Sequence, residues 1–202
     1  SALGAWPTTL PSIALPPSGA APAMPALPFD PRTIPLPQGF SLPGLAQPAP
    51  AAPNPTPAAS DRPASWAAME ADLFAEINAR RAVGGVCPGS SHVFPPTPPL
   101  ALHDGLVKAA RVHSQDMATR NYFEHESPDG ERPGPRSRRY GYTGVFTGEN
   151  IEMGSPTAAA AVANWMSSAE GHCMNILDER YHYFGGGFAV GAAPYWTADF
   201  GP

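Results

Sequence analysis

Proline sets the strongest limit on what this chain can fold into, because it is concentrated at one end. Of 28 prolines, 17 lie in residues 1–64 and 11 in residues 65–202. A proline ring fixes φ and removes a backbone donor, so helix interiors and central strands exclude it. Residues 1–64 therefore cannot assemble a conventional core, whereas residues 65–202 can. The division predicts an extended proline-rich arm or linker over 1–64 followed by a folded domain over 65–202.

Within the arm, Pro22, Pro25, Pro28 and Pro31 recur every third residue, the period of a polyproline II helix. A semi-rigid spacer is one reading of this pattern. The other rests on Trp6, Leu10, Ile13, Phe29, Ile34 and Phe40, large apolar groups that a solvated spacer does not need. These make the arm a candidate docking segment for a protein partner or for a neighbouring copy, in the way proline-rich ligands bind grooves. From about 46 to 59 the apolar residues shrink to Ala, which reads as plain linker.

The net charge of −5, with no basic run, supplies no footprint for nucleic acid or anionic lipid. No apolar stretch reaches the roughly 18 residues of a membrane span, so no transmembrane segment is expected. The chain starts at Ser1 without a charged-then-apolar leader. Ser1 is then either an artificial end or one left by processing, and processing would imply export.

Residues 65–202 carry helical spacing at Trp66, Met69, Leu73, Phe74 and Ile77, closed by Gly84 and Gly85. A second stripe runs from Leu102 to Met117. A third helix is expected over 156–167, with Ser155 as cap and Pro156 in the first turn. Strands are expected at about 144–153, 181–190 and 194–200, the last two joined by a turn at 191–194. An antiparallel hairpin among mixed helices favours an α+β fold over a parallel sheet.

The two cysteines, Cys87 and Cys173, stand 86 residues apart. In an exported chain they would form a disulfide whose loop closure contributes on the order of 4 kcal/mol. In a reducing compartment they would stay two buried thiols. Neither belongs to a CxxC pair, so a sulfur-based metal site is not indicated.

His125, Glu149 and His172 stand in short, turn-rich or glycine-rich segments, too far apart to form a local ligand motif, and only the fold could unite them. Two imidazoles and a carboxylate suit zinc with one position left for water. The same three could equally hydrogen-bond one another and tie a loop to the sheet. His113, on an apolar stripe, reads as structural; His92, His103 and His182 read as surface or loop residues. Trp165, Tyr195 and Trp196 read as core. Arg132, Arg136, Arg138 and Arg139 form a basic cluster, either a solvated helix face or a contact for an acidic partner or glycan.

The run His113-Ser114-Gln115-Asp116-Met117, Asn121-Tyr122-Phe123 with His125, Ser127-Pro128-Asp129-Gly130, Gly148-Glu149-Asn150-Ile151, Trp165-Met166, Gly171-His172 with Asn175-Ile176-Leu177, and Tyr195-Trp196-Thr197 with Phe200-Gly201 resembles the bacterial branch of the CAP superfamily. These are the SCP domains of cysteine-rich secretory, venom antigen and pathogenesis-related proteins. The resemblance covers about 65–202. It implies a three-layer α-β-α sandwich around a central antiparallel sheet, secreted, extracellular or held at the cell surface, with a periplasmic location also open. It also implies that His125, Glu149 and His172 are the cleft residues, which in some members bind a divalent cation such as zinc. A fourth family ligand, a histidine in the last strand, has no counterpart in Tyr195-Trp196-Thr197-Ala198-Asp199-Phe200. Asp199 stands where bacterial relatives commonly carry Gln.

Three functions follow as expectations. The first is a binding or structural component of a surface assembly, joined to a partner or a second copy through the arm. The second is a metal-assisted hydrolase of peptide or cell-wall material. The third is a carrier of small apolar ligands or lipids.

Overall fold

A run of three glycines in the middle of a strand is unfavourable unless something needs their missing side chains. Gly185, Gly186 and Gly187 lie in such a strand, and a Cβ at Gly185 or Gly187 would fall 2.1 Å and 2.2 Å from the backbones of Leu106 and Ala110. The helix carrying those residues therefore sits directly on the sheet, which sets the geometry of the whole domain.

The computed structural model describes residues 62–145 and 148–202. In chain order its elements are α1 (Ala64–Val83), β1 (Gly85–Val86), β2 (Val93–Phe94), β3 (Ala101–Leu102), α2 (Asp104–Arg120), α3 (Pro133–Arg139), β4 (Gly148–Met153), α4 (Ala158–Met166), α5 (His172–Leu177), β5 (Tyr183–Val190) and β6 (Pro194–Gly201). The arm expected over 1–64, including Trp6, Leu10, Ile13, Phe29, Ile34 and Phe40, lies outside the described residues except at its last positions.

The main sheet has the order β3-β5-β6-β4. β5 and β6 form the expected antiparallel hairpin, and β4 pairs antiparallel with β6 from Gly148↔Phe200 to Met153↔Tyr195. The sheet departs from the all-antiparallel expectation at one edge, where the two-residue β3 adds parallel to β5. So short a strand has no periodicity to read; the Ala101 N–H donating to the His182 carbonyl at 2.8 Å and the His103 N–H to the Phe184 carbonyl at 3.0 Å hold it.

Alternation along β5 and β6 separates the two faces. Phe184, Phe188, Trp196, Ala198 and Phe200 pack with Leu73, Ile77, Val162, Trp165, Ile176 and Leu177 of α1, α4 and α5. The opposite face carries Gly185, Gly187, Thr197 and Asp199 toward α2, with Ser114 Oγ donating to Thr197 Oγ1 at 2.8 Å. This is the α+β, α-β-α sandwich, and Trp165, Tyr195 and Trp196 are core as expected, each at most 2% exposed.

Cys87 and Cys173 form a disulfide, with Cα atoms 5.6 Å apart. It ties the loop after α1 to α5. Nearby, the buried Arg81 guanidinium donates to the carbonyls of Pro98, Ile176, Asp178 and Tyr181.

Three local expectations need correction. The third predicted helix is α4, capped by Thr157 accepting from the Ala160 N–H at 3.2 Å. Ser155 instead donates to Glu152 at 2.6 Å, while its carbonyl accepts from Trp196 Nε1. His103 is the cap of α2, its Nδ1 accepting from the Gly105 N–H. The basic cluster is the short helix α3, and it is not a solvated face throughout, because Arg136 is 1% exposed. Arg132 and Arg139 do face outward, paired with Glu126 and Glu131.

Candidate functional site

β4 is an edge strand, and its first residues are buried while its last are not. Glu149, its second residue, projects to the α2 side opposite Asp199. Three elements converge on its carboxylate. Arg136 of α3 donates to Oε2 at 2.5 Å, and His125 Nδ1, from the loop after α2, lies 2.8 Å from Oε1. His113 Nε2 of α2 is 3.8 Å from Oε1, beyond hydrogen bonding.

The loop bearing His125 is shaped by its own turn chemistry. The Gly130 N–H donates to the Ser127 carbonyl at 2.8 Å, with Gly130 at φ 81°, and this closes the Ser-Pro-Asp-Gly turn. Arg136 also reaches the His125 carbonyl at 3.4 Å, so one guanidinium holds both the loop and the strand.

Charge follows from these contacts. Burial opposes ionisation of Glu149, but Arg136 and then the His125 hydrogen bond outweigh it and hold the carboxyl down at about 2. The same hydrogen bond raises the His125 imidazole above its usual value. Burial lowers His113 to about 4, leaving it a neutral core histidine as expected. Asp199 is fully buried, and its oxygens accept from no described donor. Burial, followed by the negative charge of Glu149, pushes its pKa well above the carboxylate range. The protonated form of Asp199 is thus favoured beside the ionised Glu149.

His172 is the first residue of α5, outside the β4 edge. Its carbonyl accepts from Asn150 Nδ2 at 3.0 Å, and its Nδ1 lies 2.9 Å from Ser168 Oγ. Burial and then the neighbouring His125 lower its pKa. His172 and Ser168 line a shallow cleft of about 300 Å³ together with Phe123, Ile151, Met153 and Trp165.

The fold therefore joins His125 to Glu149 and sets His172 at the neighbouring cleft, bonded to Ser168. Among the described residues no group of three His, Cys, Asp or Glu side chains is arranged to hold a metal ion. The zinc implied by the family resemblance does not fit this donor set as arranged, because no three such side chains converge among the described residues and Glu149 is already ion-paired with the buried Arg136. Arg136, Asp199 and Ser168 are the participants that spacing did not single out. The one readable signal for Arg136 was its central place in a charged run in a chain with few cations.

Comparison with known proteins bears on the domain. A family model for the CAP, cysteine-rich secretory protein family matches residues 75–200. The uncharacterised protein YkwD of Bacillus subtilis (strain 168) is 34% identical over 155 residues, 77% of this chain and 55% of that protein. An extracellular protein containing an SCP domain from Bacillus anthracis str. Ames is 29% identical with a TM-score of 0.54, over 69% of this chain and 43% of that one. An outer surface protein of Borrelia burgdorferi shares the fold, with a TM-score of 0.51 at 19% identity over 64% of this chain and 88% of that one. The chain spans about half the length of the two Bacillus proteins. Among the described residues no helix is long and apolar enough to cross a membrane.

Proposed function

This chain belongs to the CAP family of cysteine-rich secretory proteins, and on that premise we propose that it is an extracellular or cell-surface binding module, a component of a larger assembly reached through residues 1–64. The observation that carries this reading is the state of Glu149. A carboxylate that is to ligate a metal or activate water needs a lone pair directed at the cleft. Glu149 is buried in an ion pair with Arg136 and hydrogen-bonded to His125, so the polar cluster acts as a clamp joining β4, α3 and the loop after α2. The surrounding cleft is then a surface for recognition.

The arm supplies the second part of the reading. Its large apolar groups, with Asp30, Arg32, Asp61 and Arg62 as the only charges in residues 1–64, suit burial against a protein surface better than solvation. An export location agrees with the disulfide, since such bonds persist in oxidising compartments.

The test compares the full chain with a version starting at Arg62, which keeps the Arg62–Glu70 ion pair. Removal of 1–61 is expected to abolish association in size-exclusion and pull-down measurements while leaving circular dichroism and the melting transition in place. Association that survives the deletion would overturn the docking role.

A further inference from the structure

A concavity of about 490 Å³ lies beneath α5, away from Glu149. Phe94, Met174 and Leu177 form its apolar wall, and Glu179 and Arg180 stand at its rim. Met174 is 41% exposed although it is a large apolar residue. Arg180 is held by Asp178, with Nη2 2.6 Å from Oδ2, whereas Glu179 has no ion-pair partner among the described residues. The site thus offers a greasy wall, one unpaired carboxylate and a net negative rim.

The arm carries the complement. Residues 1–60 contain two charges, Asp30 directly after Phe29 and Arg32 three residues after it. In the polyproline II geometry predicted by the Pro22, Pro25, Pro28 and Pro31 spacing, residues three apart share a face at about 9 Å. Phe29 and Arg32 are three apart, so one face presents an aromatic ring followed by the only cation of that stretch. We propose that the cavity beneath α5 holds residues 29–32 of a second copy of this chain, with Phe29 against Phe94 and Met174 and Arg32 at Glu179. The proposal rests on the reading of residues 1–64 as a docking segment and names its receptor.

A second copy is favoured over the chain's own arm by stiffness. Five prolines between Gln47 and Ala58 are the composition of a semi-rigid spacer, not of a tight turn that would return the segment to its own domain. A contact between one copy's arm and the next copy's cavity is heterologous, and it propagates into chains or closes into rings.

The experiment is sedimentation or light scattering of the full-length protein over a concentration series. Wild type is expected to self-associate, and Phe29→Ala and Met174→Glu each to weaken this about tenfold, with the double variant no weaker than the worse single one. Glu179→Arg should weaken association, and Arg32→Glu in the same chain should restore it. A chain that stays monomeric at every concentration overturns the proposal, as does association untouched by the Met174 and Glu179 variants. In that last case association lost on removing 1–61 would keep the arm as a docking segment, whereas loss of all partner binding by an intact arm would remove both readings.

Discussion

Arg136 and Glu149 meet at 2.5 Å with each side chain 2% exposed. An ion pair this deeply buried gives little net stability over apolar packing, but loss of one partner strands the other charge. Arg136→Ala should therefore destabilise the domain by about 3–5 kcal/mol, measured by urea unfolding. The double variant Arg136→Met with Glu149→Gln should recover a large part of that loss. If the single and double variants are equally unstable, packing by the Arg136 stem matters more than its charge.

His125 and Glu149 support each other over a defined pH range. The folded pKa of His125 is raised, so its contribution is complete below the unfolded value of about 6.5 and is lost as pH rises through the folded value. Glu149 behaves in the opposite sense. Its folded pKa of about 2 makes its contribution complete above the unfolded value and lost as pH falls toward 2. His125→Gln should thus narrow its stability deficit on going from mildly acidic to alkaline solution, followed by chemical unfolding. A deficit that does not change with pH would mean that the imidazole is not charged in the fold.

His113 contributes with another sign. Its folded pKa is lowered to about 4, so between that value and about 6.5 the unfolded chain binds the extra proton. Stability should fall as pH drops through this window, and the His113 ring should remain neutral in an NMR titration down to about pH 5.

Zinc added to the wild-type protein should leave the melting temperature in place, because Glu149 would first have to release Arg136. Ligand that binds the native state raises the transition by mass action. A rise of several degrees, abolished by His172→Ala, would show that the clamp opens to take metal.

The disulfide closes a loop of 86 residues, and replacing both Cys87 and Cys173 by Ala should cost about 4 kcal/mol in the chain-entropy picture. Thermal unfolding with and without reductant checks this. The Arg81 contacts to four carbonyls should survive the loss, so the fold itself is expected to persist.

Much of this was readable beforehand, for physical reasons that differ from residue to residue. Leu73 and Ile77 announce α1 through helical period, and the 191–194 turn announces the β5–β6 hairpin, because local geometry decides both. The cap of α4 was misplaced by two residues, since Ser155 and Thr157 have the same chemistry and only Glu152, by taking the Ser155 hydroxyl, settles which of them caps. β3 was invisible because two residues have no period, and it exists through the backbone of His182 and Phe184.

The sequence by itself determined the α+β class, the family, and the short set of polar residues worth attention. Those depend on composition, local backbone preference and motif order, all of which are carried along the chain. Only tertiary structure decided that Arg136 turns inward, that its charge is matched by Glu149, that Asp199 is buried across the strand from Glu149, and that His172 meets Ser168. Ionisation and hydrogen bonding depend on distances between residues remote in sequence and on the water excluded around them, and neither exists until the sheet and helices have packed.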